Sequence, residues 1–196
     1  MTVHKLKTRL RSEARARRAE RSATERARAA SGVTENLRQL VRDCGAETVA
    51  IFLSTPTEPQ TRDAIRELSQ LGTRFVAPVS HAGGVMEWTS VDGTTPERAG
   101  LGGMPEPDVG DAPTTAQVAV DLVVCPAAAV DETGTRLGWG GGFYDRFFAE
   151  LSPETPVFAL VFDDDVVSNL PREKHDVPVD GVITSSGWWR FESVAD

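Results

Sequence analysis

The chain has few residues of the kinds that make covalent or metal cross-links. Only two of its 196 residues are cysteine, Cys44 and Cys125. Each lies in an apolar stretch, and neither has a second Cys or a His at metal-ligand spacing. That argues against a structural zinc site and predicts two buried free thiols. No apolar run is long enough to span a bilayer, so no membrane partner is expected. The first eleven residues are basic but no apolar core of a secretory signal follows, which predicts a cytoplasmic protein. Positive charge is scarce outside the N-terminal quarter. Residues 1–43 hold 12 Lys+Arg against 5 Asp+Glu and carry +7, while the rest hold 9 against 24 and carry −15, giving the net −8. So acidic a remainder argues against a broad nucleic-acid surface, which has to neutralise several phosphates. A small polyanion needs only a few cations and fits better.

Residues 4–30 lack Gly and Pro and are rich in Ala, Arg and Glu, which predicts a basic N-terminal helix. Lys7, Arg11, Arg15 and Arg18 would share one face, and Leu6, Leu10 and Ala14 another. No aromatic residue interleaves the arginines, so base stacking by an RNA gains little support and no nucleic-acid partner is expected. Gly32 and Thr34 punctuate the pattern, and a second helix is expected from about Thr34, with Val33, Leu37, Leu40, Val41 and Cys44 as its apolar stripe. Thr48 to Leu53 reads as a buried parallel strand. A helix over 61–71 follows, with Ala64, Ile65, Leu68 and Leu71 inward, then a strand over Arg74 to Val79, completing a right-handed βαβ unit. Val85 to Val91 is a short strand, half of a hairpin, and 92–119 is irregular and rich in Gly, Pro, Thr and Asp. Strands over Asp121 to Cys125, Val157 to Phe162 and Gly181 to Thr184, with a helix over Phe143 to Leu151, complete the series. The expectation is one α/β domain over 1–196, a doubly wound, mainly parallel sheet flanked by helices, with 1–44 as a helical arm packed on it. A monomer is expected. Ligands in such sheets sit beyond the carboxyl ends of strands, which singles out loops 54–60, 126–142 and 163–180.

The most informative segment is Asp131 to Asp145, DETGTRLGWGGGFYD. A Gly-rich turn running straight into a helix exposes backbone N–H donors and the positive end of the helix dipole, a combination that suits phosphate. Arg136 adds a bidentate cation. The glycines by themselves fit a flexible surface loop as well, but the whole string is more specific.

Arg136 to Asp145, RLGWGGGFYD, closely resembles the signature of the 5-formyltetrahydrofolate cyclo-ligases, the methenyltetrahydrofolate synthetases. Lys7 to Arg11, IFLS at Ile51 to Ser54, Gly103 to Pro107 and His175 to Asp180 match the same family in the same order, over nearly the whole chain. The resemblance implies an enzyme: ATP- and Mg²⁺-dependent cyclisation of 5-formyltetrahydrofolate, with or without a polyglutamate tail, to 5,10-methenyltetrahydrofolate, with release of ADP and phosphate. It implies an ATP cradle of Arg136, Leu137, Gly138, Trp139, Gly140, Gly141, Gly142, Phe143 and Tyr144, joined by Lys7 and Arg11. It makes Arg136, Tyr144 and Asp145 the catalytic group, with Asp145 and Asp176 as Mg²⁺ ligands. It places folate on Thr55, Gln60, Trp139, Gly140, Gly141, Gly142 and Phe143. Gln60 stands where some members carry Glu, so Gln60→Glu is expected to preserve or improve folate use. Trp139 and Phe143 suit stacking on a pterin or plain packing equally. Two other readings remain open: a folate- or nucleotide-binding paralogue without turnover, and a sugar-phosphate-type enzyme that uses the loop for a substrate phosphate and needs neither Mg²⁺ nor ATP.

Overall fold

The computed structural model describes residues 2–110, 114–173 and 176–192. His175 lies outside them.

The basic N-terminal segment is two helices. α1 (Val3–Ala19) and α2 (Ala23–Cys44) are separated at Glu20–Ser22. Ser22 accepts from the Glu25 amide at 3.2 Å while the Glu25 carboxylate accepts from the Ser22 amide at 2.7 Å. This reciprocal cap starts α2 more than ten residues before the expected Thr34. Its Ser-x-x-Glu signature is visible in the sequence, beneath the uniform helix-forming composition. Gly32 and Thr34 therefore lie inside α2. A Cβ on Gly32 would meet the Ser185 carbonyl oxygen at 2.2 Å, so the glycine serves close packing. The Thr34 hydroxyl donates back to the Ala30 carbonyl at 3.0 Å. Gly45, at φ 62°, ends the helix in the left-handed conformation that glycine adopts without strain.

The chain continues through β1 (Thr48–Ile51), α3 (Arg62–Gln70), β2 (Arg74–Ser80), β3 (Met86–Val91), β4 (Glu97–Ala99), β5 (Pro105–Pro107), β6 (Leu122–Pro126), β7 (Ala129–Asp131) and β8 (Arg136–Leu137). It ends with α4 (Phe143–Glu150), β9 (Val157–Leu160), β10 (Val166–Val167), β11 (Gly181–Ile183) and β12 (Trp188–Arg190). A seven-stranded sheet runs in the order β12-β11-β9-β6-β1-β2-β3. β11, β9, β6, β1 and β2 are parallel, and β3 and β12 close the two edges antiparallel. β7, β8 and β10 form a smaller sheet, and β4 pairs with β5 within the segment expected to be irregular.

Alternation along the strands builds two cores. Val49 and Ile51 of β1, with Leu122, Val124, Phe158 and Leu160, pack under Leu37, Leu40, Ile65 and Leu68 of α2 and α3. Ala50, Val123, Cys125 and Ala159 face the opposite side, with Phe148 of α4. The sheet is thus doubly wound. Two details depart from the sequence reading. Leu71, expected inward, caps α3 and is 70% exposed. Cys44 is only half-buried, its Sγ 3.7 Å from Arg190 Nη2, whereas Cys125 is fully buried. Among the described residues no helix is long and apolar enough to cross a membrane.

The strand order fixes where a ligand can enter. From β1 the chain steps outward to β2 and β3, then returns to β6 on the other side of β1. The connections leaving β1 and β6 diverge, opening a crevice beyond their carboxyl ends. Loop 54–61 borders it on one side, and the chain running from β6 to α4 on the other.

Candidate active site

Loop 54–61 is held by its own side chains. The Thr61 hydroxyl donates to the Phe52 carbonyl at 2.9 Å. Gln60 Nε2 donates to the carbonyls of Thr55 and Glu58, at 2.8 and 2.9 Å, and its Oε1 accepts from Arg62 at 3.3 Å. Gln60 is therefore turned onto the loop, while Thr55 is half-exposed at its start.

Across the crevice, Asp131 organises the approach to the Gly-rich turn. One of its oxygens accepts from the amides of Thr133 and Thr135, and the other from the Leu170 amide at 2.8 Å. Arg136 follows on β8. Its side chain is buried between Tyr144 and Phe148, and Nη2 meets Asp145 at 2.7 Å. Gly140 and Gly142 have φ of 102° and 67°, a conformation that side chains rarely adopt. A Cβ on Gly138 would stand 2.7 Å from Arg136 Nη1, and one on Gly141 2.8 Å from the Phe143 ring. The Gly138 carbonyl accepts from Arg11 Nε at 2.7 Å and the Gly141 carbonyl from Arg146 Nη2 at 2.9 Å. In a trans peptide the N–H points away from the carbonyl, so these bonds turn the amides of Trp139 and Gly142 to the opposite side. The amides of Gly140, Gly141 and Gly142 have no acceptor among the described residues. They stand at the N-terminus of α4, whose first turn carries Asp145.

α1 covers this turn. Lys7 Nζ lies 2.8 Å from Glu173 and 2.5 Å from Asp176. Burial alone would lower the Lys7 pKa, but the hydrogen bonds it donates to Asp176 and Glu173 outweigh it and hold the ammonium above its usual value. Burial and the neighbouring Arg15 lower Arg11, against the attraction of Asp176, Glu173 and Asp145. The two carboxylates expected to bind Mg²⁺ thus act on one guanidinium, although each already has a basic partner: Asp145 with Arg136, Asp176 with Lys7. No cluster of three or more His, Cys, Asp or Glu suited to a metal is present among the described residues.

Tyr144, the only tyrosine of the chain, points its hydroxyl into the protein, with no partner among the described residues. Burial pushes its ionisation well above the usual value. Leu137 is buried against Ala14, Ala128 and Leu170. Arg146 Nε reaches the Gly84 carbonyl at 3.1 Å, beside Phe143, joining the β2–β3 turn to the Gly-rich turn. Trp139 donates from Nε1 to Glu58 Oε1 at 2.9 Å, and Arg15 and Arg18 lie over its ring, at 5.0 and 5.2 Å. Arg18, expected on one face with Lys7, Arg11 and Arg15, is 1% exposed and pairs with the fully buried Asp165 at 2.8 Å. Asp164 and Asp165 also take Arg17 and Arg21, so much of the arm's positive charge is neutralised within the chain. The Asp163–Asp165 run opposite an arginine-rich helix is a signal that charge patterning could have used. Glu58, Glu173 and Arg146 carry no comparable mark in the sequence.

The model of the 5-formyltetrahydrofolate cyclo-ligase family matches residues 3–185. The chain belongs to this family. It is 34% identical over 152 residues to the 5-formyltetrahydrofolate cyclo-ligase of Escherichia coli K12, covering 74% of this chain and 82% of that protein. It is 33% identical over 142 residues to the Mycolicibacterium smegmatis cyclo-ligase, 70% and 73% of the two chains. The NMR structure of Aquifex aeolicus 5,10-methenyltetrahydrofolate synthetase superposes with a TM-score of 0.79 at 25% identity, over 97% of this chain and 95% of that one. The chain is an enzyme of the cyclo-ligase family, built on the doubly wound fold expected from its sequence.

Proposed function

We propose that the chain catalyses ATP-dependent cyclisation of 5-formyltetrahydrofolate to 5,10-methenyltetrahydrofolate, releasing ADP and phosphate. The observation that carries this reading is the Gly-rich turn at the sheet's switch point. The amides of Gly140, Gly141 and Gly142 have no acceptor among the described residues, Lys7 and Arg11 overhang the turn, and it faces loop 54–61 across the crevice. The formamide oxygen is a poor leaving group. Transfer of the γ-phosphoryl to that oxygen creates a good one. N10 then forms a bond to the formyl carbon and gives up its proton to water, and the C–O bond breaks as phosphate departs. The protein's work is to position two ligands and neutralise charge.

The glycine amides and Arg11 receive phosphate oxygens, with Arg136 holding Asp145 in orientation. Lys7 stands where it neutralises charge once its carboxylate partners turn to a cation. Asp145 and Asp176 would hold Mg²⁺. They offer hard oxygen donors beside the phosphate cradle, the chemistry that ion takes, and the bound ion would supply charge neutralisation at the phosphoryl oxygens. Thr55, Gln60 and Phe143 border the folate, whether it carries one glutamate or several. Neutralisation of Arg17, Arg18 and Arg21 by Asp164 and Asp165 supports a small-molecule role for the arm over a nucleic-acid one. We also read residues 1–196 as one cytoplasmic, monomeric domain.

The test is absorbance during incubation of the purified chain with 5-formyltetrahydrofolate, with and without Mg-ATP. Product formation creates a conjugated amidinium chromophore. Growth of that band only with Mg-ATP is expected. Folate binding without turnover would replace the reading by a non-catalytic paralogue, and absence of folate binding would refute it.

A further inference from the structure

Arg146 makes no ion pair among the described residues, yet it joins three segments of the chain. It stands in the first turn of α4, and its side chain runs back toward the start of the helix. Nε donates to the Gly84 carbonyl at 3.1 Å and Nη2 to the Gly141 carbonyl at 2.9 Å, while the guanidinium lies 5.5 Å from the centre of the Phe143 ring. The backbone around it is shaped to this contact. Gly84 has φ 83°, and a Cβ there would overlap Arg146 Nη2. A Cβ on Gly142 would stand 3.1 Å from Nη1. The peptide between Gly141 and Gly142 needs such a hold. Rotating a peptide plane changes ψ of one residue and φ of the next, and side chains ordinarily limit both. Glycine on each side removes that limit and leaves the plane free to turn. By accepting from Arg146, the Gly141 carbonyl fixes one orientation, with the Gly142 N–H turned away from the guanidinium. That amide is one of the three in the turn with no acceptor among the described residues.

We propose that Arg146 is a positioning residue: anchored on Gly84 of the β2–β3 turn, it locks the Gly141–Gly142 peptide so that the Gly142 N–H is held ready for a phosphate oxygen. This rests on the reading of the Gly-rich turn as the ATP cradle. In this role Arg146 acts through the peptide and touches neither ligand. Without the lock, the glycine pair has to be ordered at the moment of binding. Fixing the backbone of one residue at that moment weakens affinity by roughly 5- to 30-fold, a loss that a pre-ordered cradle avoids.

Arg146→Gln, Arg146→Lys and Gly84→Ala are compared with the parent enzyme at a temperature where all are folded. The readouts are the calorimetric Kd of a non-hydrolysable Mg-ATP analogue, which needs no turnover, and KM for Mg-ATP and for 5-formyltetrahydrofolate. Arg146→Gln is expected to raise the analogue Kd and the Mg-ATP KM together by about 5- to 30-fold. Arg146→Lys keeps the charge but not the two-point hold, and should weaken the analogue nearly as much. Gly84→Ala displaces the guanidinium while leaving the arginine and the cradle in place, and should weaken it too. Its combination with Arg146→Gln should bind no worse than the weaker single variant, because both remove the same contact. A lower Tm with an unchanged analogue Kd in Arg146→Gln would mark a purely structural contact and overturns the proposal. So does parent-like affinity in Arg146→Lys, which would leave charge alone to act, or an effect confined to the KM for 5-formyltetrahydrofolate, which would make Arg146 a folate contact. If Gly84→Ala fails to fold, the two Arg146 variants decide alone. A parent enzyme that neither binds the analogue nor turns over would instead overturn the reading of the turn as an ATP cradle.

Discussion

Asp165→Asn tests how the arm is fastened to the sheet. The carboxylate is fully buried and receives two N–H bonds, with a third guanidinium nitrogen at ion-pair distance. Oδ2 accepts from Arg18 Nε at 2.9 Å and lies 2.8 Å from Arg18 Nη2, and Oδ1 accepts from Arg17 Nη2 at 2.5 Å. Asparagine has nearly the same volume but one acceptor oxygen, so its NH₂ must oppose one guanidinium. Arg17 is partly exposed and can turn to water, so its share is about 0–1 kcal/mol. Arg18 has no such exit. Removing one partner from a buried pair of this kind costs about 3–5 kcal/mol. For a chain of this size each kcal/mol lowers Tm by roughly 2–4 °C, so a fall of roughly 6–20 °C is expected. Urea unfolding and calorimetry of both proteins measure it. Arg18→Met combined with Asp165→Leu, which removes both charges, should recover most of the loss. A deficit below about 1 kcal/mol in Asp165→Asn would refute the reasoning, because the guanidinium would then be finding water or another acceptor.

Asp176→Asn should lower Mg-ATP-dependent turnover by on the order of a hundredfold while leaving the folate KM nearly unchanged, as initial rates over a Mg²⁺ titration will report. Gln60→Glu, expected from the family resemblance to preserve or improve folate use, is predicted from the structure to do the reverse. The carbonyls of Thr55 and Glu58 lose their donor, and a second carboxylate enters the loop beside Glu58, so the folate KM should rise about tenfold or more. Gly140→Val forces a β-branched residue to φ 102°, at a cost of about 1–3 kcal/mol, and should impair use of both substrates in the same kinetic assay. Burial pushes the Cys125 thiol up to about 11 from 9.0, so the unfolded chain loses that proton first as pH rises. The stability this contributes is complete below pH 9.0 and is lost as pH climbs to about 11, about 2–3 kcal/mol in all, a slope that Cys125→Ala should remove from urea midpoints measured across that window.

The parts of the fold legible in the sequence are those whose signal is local. β1, β6 and β9 are short apolar runs, and each sits where a strand was expected. Gly140 and Gly142 announce an unusual backbone, and both have positive φ. The two-residue strands β8 and β10 are too short for any period to register, and they exist because Asp131 and its neighbours gather them. The break between α1 and α2 was legible in Ser22 and Glu25 but outweighed by composition. Glu58 illustrates the opposite case. Its burial and its bond to Trp139 are both conferred by a turn 81 residues away, and nothing in TPTEPQT records that. Leu71 fits the helical period of α3 but falls one residue past its end, where the period no longer governs direction.

The pairs Arg18–Asp165 and Lys7–Asp176 join residues 147 and 169 positions apart. During synthesis the arginine-rich helix is therefore made well before the carboxylates it pairs with. At about 5–20 residues per second, the arm waits roughly 7–35 s for them on the ribosome. Through that interval its guanidinium groups lack the carboxylates that hold them over the Gly-rich turn. The nascent chain can bury the strands around β1 early, but it acquires a closed site only when its C-terminal fifth has emerged.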